Sequence, residues 1–143
     1  MTSRSTPQRS VIATAIFDLL DPVPYGAFVM ALIFDATYAS TAEILWVKAA
    51  AWLITLGLFF AIVPRLINLV QTWGPSRYGS RAAFWLNLFA IVAAVVNALV
   101  HTRDAYAAAP QNVWLSAVTV ALLFAAAITE TVRKSSRKEA PHA

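Results

Sequence analysis

Apolar residues fall into four long runs that short polar stretches separate. Each run is close to the roughly twenty residues that an α-helix needs to cross a bilayer. The third run, from Ala82 to His101, carries no charged residue before its histidine. We expect spans at about 24–42, 44–64, 82–102 and 113–132. The pattern predicts an all-α integral membrane protein, a four-helix bundle whose helices run alternately up and down.

Small and polar residues in the third run recur at spacings of four, three, four, three and four, which places them on one helix face. They are Ala83, Asn87, Ala90, Ala94, Asn97 and His101. Large apolar residues occupy the opposite face: Phe84, Leu88, Ile91, Val95 and Leu99. In lipid, small and polar residues mark contacts between helices. We therefore expect Asn87, Ala90 and Ala94 to pack against other helices, and this span to be the most buried.

The segments outside the spans are polar or amphipathic. Residues 1–10 are interpreted as a flexible cytoplasmic tail, residues 11–132 as the transmembrane domain and residues 133–143 as a basic cytoplasmic tail. From Val11 to Leu20 the apolar residues repeat at helical spacing over too short a length to cross, which is typical of an amphipathic helix in the interface. Asp21 and Pro22 should end that helix. A signal peptide is the alternative, but Asp18 interrupts its apolar region.

Composition supports a membrane protein. The chain has 143 residues, of which 59% are hydrophobic and 13% charged, whereas soluble domains are about a quarter charged. It contains no cysteine, which excludes disulfides and thiolate metal sites. The basic residues flank apolar runs and form no stripe among exposed aromatics, so we expect a lipid bilayer and no nucleic acid as partner.

The distribution of Lys and Arg predicts the orientation. Of the 11 basic residues, only Lys48 and Arg103 fall on one side of the membrane. The others fall on the opposite side: Arg4, Arg9, Arg65, Arg77, Arg81, Arg133, Lys134, Arg137 and Lys138. Basic residues are enriched in cytoplasmic loops. We therefore expect a multi-pass protein of the bacterial inner membrane with both termini in the cytoplasm.

Polar residues inside the spans are the candidate functional residues. Those at the predicted outer side form a candidate polar pocket: Asp35, Lys48, Asn97, His101, Ser116 and Thr119. An unpaired charge in hydrocarbon costs several kcal/mol, so we expect Asp35 and Lys48 to form an ion pair. This pair either fixes the helix register or belongs to a pocket for an ion, a proton or a cofactor. At the inner side, we expect a second ion pair between Arg65 and Glu130.

The histidines decide which cofactors are plausible. Bis-histidine haem ligation needs two imidazoles inside the bundle, and His101 is the only histidine within a predicted span, because His142 lies in the tail. A haem b bound through His101 would need a second ligand from another chain. No catalytic or metal-binding pattern appears in the sequence. We expect no cofactor and no catalytic residue, with haem b or a quinone as alternatives.

Four segments resemble the bacterial membrane family called domain of unknown function 2231. They begin at Asp21 (DPVPYGAFVMALIFD), Ala51 (AWLITLGL), Ala61 (AIVPRLIN) and Asn87 (NL), and the resemblance covers about residues 20–130. It implies a small four-helix membrane protein in a respiratory or redox setting, since some members are linked with Rieske-type or cytochrome partners. The family's expected His-Pro is replaced here by Asp21-Pro22, its Gly and Asp by Arg65 and Asn68, and a histidine early in span three is absent. The resemblance then implies that this chain has lost any haem or metal site that depends on those histidines.

Three functions follow as expectations. The first is a non-catalytic accessory subunit that docks onto a larger membrane complex, respiratory or photosynthetic, or that forms a homo-oligomer. The second is a haem-binding electron-transfer protein that uses His101. The third is a small transporter or proton relay that uses Asp35 and Lys48, although the inverted repeats common in transporters are not visible.

Overall fold

The computed structural model describes residues 11–73, 80–103 and 105–139, and within them every regular element is an α-helix. The helices are α1 (Val11–Leu20), α2 (Pro22–Thr41), α3 (Ile44–Trp73), α4 (Arg81–His101), α5 (Ala105–Ala108) and α6 (Gln111–Glu139). Among these described residues, four helical segments are long and apolar enough to cross a membrane: Asp18–Thr41, Ile44–Leu66, Arg81–His101 and Gln111–Ser136. This confirms the predicted all-α membrane bundle.

The bundle buries small and polar side chains and exposes large apolar ones. Trp52 of α3 is 71% exposed and Phe59 is 68% exposed, whereas Ala31 and Ala50 are fully buried. Water would drive the large side chains inward, since burying one is worth about 1.5–3 kcal/mol. Hydrocarbon tails remove that driving force and leave close packing of small residues to hold the helices together. The exposed apolar belt is therefore the surface of a membrane protein.

The face predicted for α4 is confirmed. Ala83, Asn87, Ala90, Ala94 and Asn97 are all buried. On the opposite side, Leu88, Val95 and Leu99 are exposed. In the apolar segment of α4, 33% of the residues are buried, against 22–28% of the residues in the other three spans. It is the most buried span because alanines on its interior face let neighbouring backbones approach, and Asn97 forms a hydrogen bond to Ser116 of α6.

Consecutive long helices run in opposite directions and place distant residues at the same end of the bundle. The most extensive packing is of α2 on α3 and of α4 on α6. We call the end near the α2–α3 and α4–α5 connections the His101 end. The opposite end contains the start of α2 and the start of α4, and we call it the Arg65 end.

Two helices continue beyond their predicted limits. Helix α3 runs through Pro64 to Trp73, and Pro64 is fully buried. Neighbouring helices make a proline tolerable inside a membrane helix. Helix α6 continues past residue 132 to Glu139, through residues such as Arg133 and Lys134 that favour helix. The predicted tail at 1–10 and the last four residues lie outside the described part of the chain.

The short helix α1 has the predicted bounds. It exposes Ile12 and Leu19, as a helix in the interface would, and its nearest neighbours are α3 and α2. Asp21 is the single residue between α1 and α2, with helical dihedral angles (φ −61°, ψ −35°). Helix α2 therefore begins at Pro22, in the first turn of a helix where a proline is accommodated, and the apolar segment that can cross the membrane begins at Asp18 and not at residue 24.

A buried carboxylate cluster as the candidate functional site

The Asp35 side chain is the centre of a polar cluster near the His101 end. It is completely buried. Its Oδ1 accepts a hydrogen bond from Asn112 Nδ2 at 3.0 Å and lies 2.8 Å from His101 Nε2. Its Oδ2 accepts a hydrogen bond from the Ser116 hydroxyl at 2.6 Å. Helices α2, α4 and α6 therefore meet at one carboxylate.

The two neighbours of the His101 ring show how this pair is protonated. Nδ1 lies 2.9 Å from the backbone oxygen of Asn97, which can only accept a hydrogen bond, so Nδ1 donates. Nε2 faces the Asp35 carboxyl group, which also accepts unless it carries a proton. Either the imidazole is protonated at both nitrogens or Asp35 is protonated and donates to it. In both cases one proton lies between Nε2 and the carboxyl group, and the pair is neutral overall.

A second chain of hydrogen bonds supports the carboxylate from the side. Asn97 Nδ2 donates to Ser116 Oγ at 2.7 Å, and this hydroxyl in turn donates to Asp35. Asn97 and Ser116 are both buried. Thr119 is buried too, but its hydroxyl donates to the backbone oxygen of Leu115 in its own helix and not to the cluster. Of the predicted pocket, the structure joins Asp35, Asn97, His101 and Ser116.

The predicted ion pair between Asp35 and Lys48 is wrong. Lys48 is exposed, and with Trp52 and Thr55 it lines a shallow depression on the outside of α3. On this turn of α3 the residues that face the interior are Val47 and Ala50. A lysine on a lipid-facing surface near a helix end can extend its chain to the interface and keep its ammonium group hydrated. Asp35 is neutralised by His101 instead.

The geometry of His101 bears on the haem alternative. Both ring nitrogens have hydrogen-bond partners, and the side chain is 2% exposed. A ligand to iron needs a free lone pair on one nitrogen, and this arrangement offers none. Within the described residues, no three His, Cys, Asp or Glu side chains come together as a group that could hold a metal ion.

The predicted pair between Arg65 and Glu130 is also wrong. Arg65 Nη1 donates to Asp21 Oδ1 at 2.7 Å. Glu130 accepts from Arg133 Nη2 at 2.8 Å, one helical turn along α6. Glu130 pairs within its own helix because a spacing of three residues brings its side chain next to that of Arg133. Arg65 and Glu130 nevertheless line the same cavity at the Arg65 end.

Two residues of these clusters are not among the candidates that the sequence provides. Asn112 falls between the predicted third and fourth spans, yet it lies in the first turn of α6, fully buried. Its spacing of four from Ser116 and of seven from Thr119 is the signal that places the three on one helix face. The sequence pattern marks Asp21 only as a helix terminator. No local pattern indicates its bond to Arg65, which lies 44 residues away.

No family model, curated protein or solved structure matches the chain. The resemblance to the domain of unknown function 2231 therefore stays a prediction.

Proposed function

We propose that this protein is a non-catalytic accessory subunit of a larger membrane assembly. The observation that carries the proposal is the closure of the Asp35 cluster. Both carboxylate oxygens and both His101 nitrogens have protein partners. A substrate or ion would have to break these bonds before it could be bound. Such a cluster serves to fix three helices in one arrangement, as buried polar groups do in membrane bundles.

The proposed setting is the bacterial inner membrane, with both termini in the cytoplasm. Arg65 and Arg81 belong to the Arg65 end, whereas Lys48 and Arg103 belong to the His101 end. The sequence pattern adds further basic residues before α1, between α3 and α4 and after α6. This asymmetry supports a cytoplasmic Arg65 end. Partners would be other membrane-protein subunits or further copies of the chain, and a respiratory or photosynthetic complex is the proposed context.

Isolation of the tagged full-length chain from its own membranes in mild detergent tests the proposal. We expect stoichiometric membrane-protein subunits by native mass spectrometry and no Soret band from this chain. The Lys48→Met variant should assemble equally, because Lys48 contacts no part of the cluster. A chain that purifies alone at all detergent concentrations, or that carries haem, would contradict the accessory role.

A second candidate function is proton transfer through the Asp35–His101 pair. It is favoured by the geometry that assigns one shared proton to these two groups, since buried carboxylate and histidine side chains form proton relays in membrane proteins. Proteoliposomes with an internal pH-sensitive dye test it directly. Proton flux that Asp35→Asn abolishes and Lys48→Met leaves unchanged would favour the relay. Proton flux equal to that of protein-free vesicles would contradict the relay and favour the accessory role.

A further inference from the structure

The Arg65 end contains a cavity of about 460 Å³ between the four membrane spans. This volume falls within the range of sites for small ligands. Its wall combines apolar residues, among them Phe124 and Ala127, with the polar residues Arg65 and Asn87. The Asp35 cluster contributes no residue to it. A mixed wall of this kind suits a molecule that has both a polar and an apolar part.

Arg65 brings two unused hydrogen-bond donors to this cavity. Its Nη1 bonds Asp21, whereas Nε and Nη2 are buried and have no hydrogen-bond partner among the residues that the structure describes. Nε and Nη2 carry the N–H groups on one side of the planar guanidinium, which can hold two oxygens of one carboxylate or phosphate group. The guanidinium carbon lies 6.0 Å from the centroid of the Tyr25 ring, at the outer limit of a cation–π contact. Arg65 is thus oriented and lacks the acceptor that its free side requires.

Asn87 brings an unused acceptor. Its Nδ2 donates to the backbone oxygen of Ala83 at 2.8 Å, but its Oδ1 is buried and has no partner in the described part of the chain. The residue is 5% exposed. Inside a bilayer an unpaired acceptor is costly, because no water replaces the missing donor. A hydroxyl or amino group of a ligand would supply that donor.

The charges around the cavity favour an anion. Asp21 is matched by Arg65, and Glu130 is matched by Arg133. Lys134 also lines the cavity, and it adds a positive charge that neither of these two pairs offsets. The residues that line the cavity thus carry two positive and two negative charges. Arg133 pairs with Glu130 from outside the lining and makes the local balance positive by one charge, at the end of the bundle where basic residues are concentrated.

From these observations we infer that the cavity binds the headgroup of an anionic amphiphile. An oxyanion is held by the free side of Arg65, and a neighbouring hydroxyl donates to Asn87. The apolar chains lie along the exposed apolar surface of the helices. A phosphodiester that carries a glycerol headgroup has this chemistry, and basic cavities between membrane helices bind such lipids. Free phosphate offers the same oxyanion without the apolar part.

Native mass spectrometry of the detergent-solubilised full-length chain tests the inference. We expect phosphatidylglycerol to bind at least about tenfold more tightly than phosphatidylcholine, which has no net charge and no hydroxyl in its headgroup. Millimolar inorganic phosphate should not displace the lipid. Arg65→Lys keeps the charge but loses the paired donors, and phosphatidylglycerol affinity should fall about tenfold or more. Arg103→Lys, at the other end, is the matched control.

A second variant keeps the inference testable if Arg65→Lys weakens the fold. Ala127→Leu fills the cavity and should also lower phosphatidylglycerol binding about tenfold, whereas Ala121→Leu, on the exposed side of α6, should not. Circular dichroism and the unfolding temperature in lipid-free detergent identify variants that fold. Equal affinity for the two lipids would overturn the inference. So would undiminished binding by folded Ala127→Leu, or full displacement of the lipid by inorganic phosphate.

Discussion

At the scale of residues, a single neutralised pair explains how a carboxylate is tolerated in the interior of this bundle. Asp35 lies beyond the reach of water, yet it faces a histidine and two neutral donors. Taking a charge out of water costs several kcal/mol unless a partner and further hydrogen bonds offset it. The interior is therefore polar without being charged overall. Removing either Asp35 or His101 alone should lower the stability more than removing both.

We predict that His101→Gln lowers the free energy of unfolding by about 3 kcal/mol, because the buried Asp35 side chain would lose the partner with which it forms a neutral pair. Asp35→Asn should cost about 1–3 kcal/mol, since an amide keeps only one of the two acceptor oxygens that Asn112 and Ser116 use. The double variant should recover part of the summed loss, because two amides can bond each other. Equilibrium unfolding in detergent micelles measures all three, and strictly additive losses would mean that the two side chains do not interact.

Lys48→Met is the matched control for this cycle. Lys48 is exposed and belongs to no described ion pair, so its removal should change the free energy of unfolding by less than about 0.5 kcal/mol. An ion pair with Asp35 would instead make this substitution as harmful as His101→Gln. The comparison therefore distinguishes the observed cluster from the pair that the sequence alone predicts.

At the scale of elements, α4 packs into the bundle through the face that carries its small residues. Ala94 is 1% exposed, whereas its neighbour Val95 is 44% exposed and faces lipid. Ala94→Leu should overpack the bundle and lower the free energy of unfolding by about 1–3 kcal/mol. Val95→Leu should have almost no effect. Thermal unfolding of both variants in one detergent checks the contrast, and equal shifts would show that α4 is rotated relative to the described packing.

The two described glycines of the bundle should respond in opposite directions to alanine. A Cβ atom at Gly26 would meet nothing within 4 Å, so Gly26→Ala should stabilise α2 by about 0.5–1 kcal/mol through helix propensity. A Cβ at Gly57 would lie 3.0 Å from the Phe28 ring and 3.3 Å from the Ala27 Cβ. Because Ala27 cannot rotate away, Gly57→Ala should destabilise the α2–α3 contact by about 1 kcal/mol. A higher unfolding temperature for Gly57→Ala than for Gly26→Ala would contradict this.

The predictability of the elements and of the site differs for a physical reason. Membrane spans follow from run length and hydropathy, and the α4 face follows from helical periodicity, so both are local properties of the sequence. The partner of Asp35 is not local. Lys48 is near in sequence and opposite in charge, but the rotation of α3 turns it outward, while His101 arrives from 66 residues away. Pairing between helices depends on their rotation, which a single sequence does not specify.

At the scale of the whole molecule, the two ends differ in chemistry. The His101 end has a closed, neutral cluster, whereas the Arg65 end has an open cavity with unused hydrogen-bonding atoms. One end therefore supplies stability and the other offers a place for a ligand. The orientation of the chain decides whether the cavity opens toward the cytoplasmic or the outer side of the membrane. It therefore decides which lipids and partners can reach the cavity.

The lack of cysteine makes that orientation directly measurable. Single cysteines replacing Ser80 and Ser136 lie near the Arg65 end, and one replacing Thr102 lies at the His101 end; all three positions are outside the buried core. If basic residues mark the cytoplasmic side, a membrane-impermeant maleimide added to intact spheroplasts should label only the Thr102→Cys variant. Inverted vesicles should reverse the pattern, with Ser80→Cys and Ser136→Cys labelled. Labelling of Ser80→Cys in intact spheroplasts would place the Arg65 end outside and exclude the cytoplasmic termini.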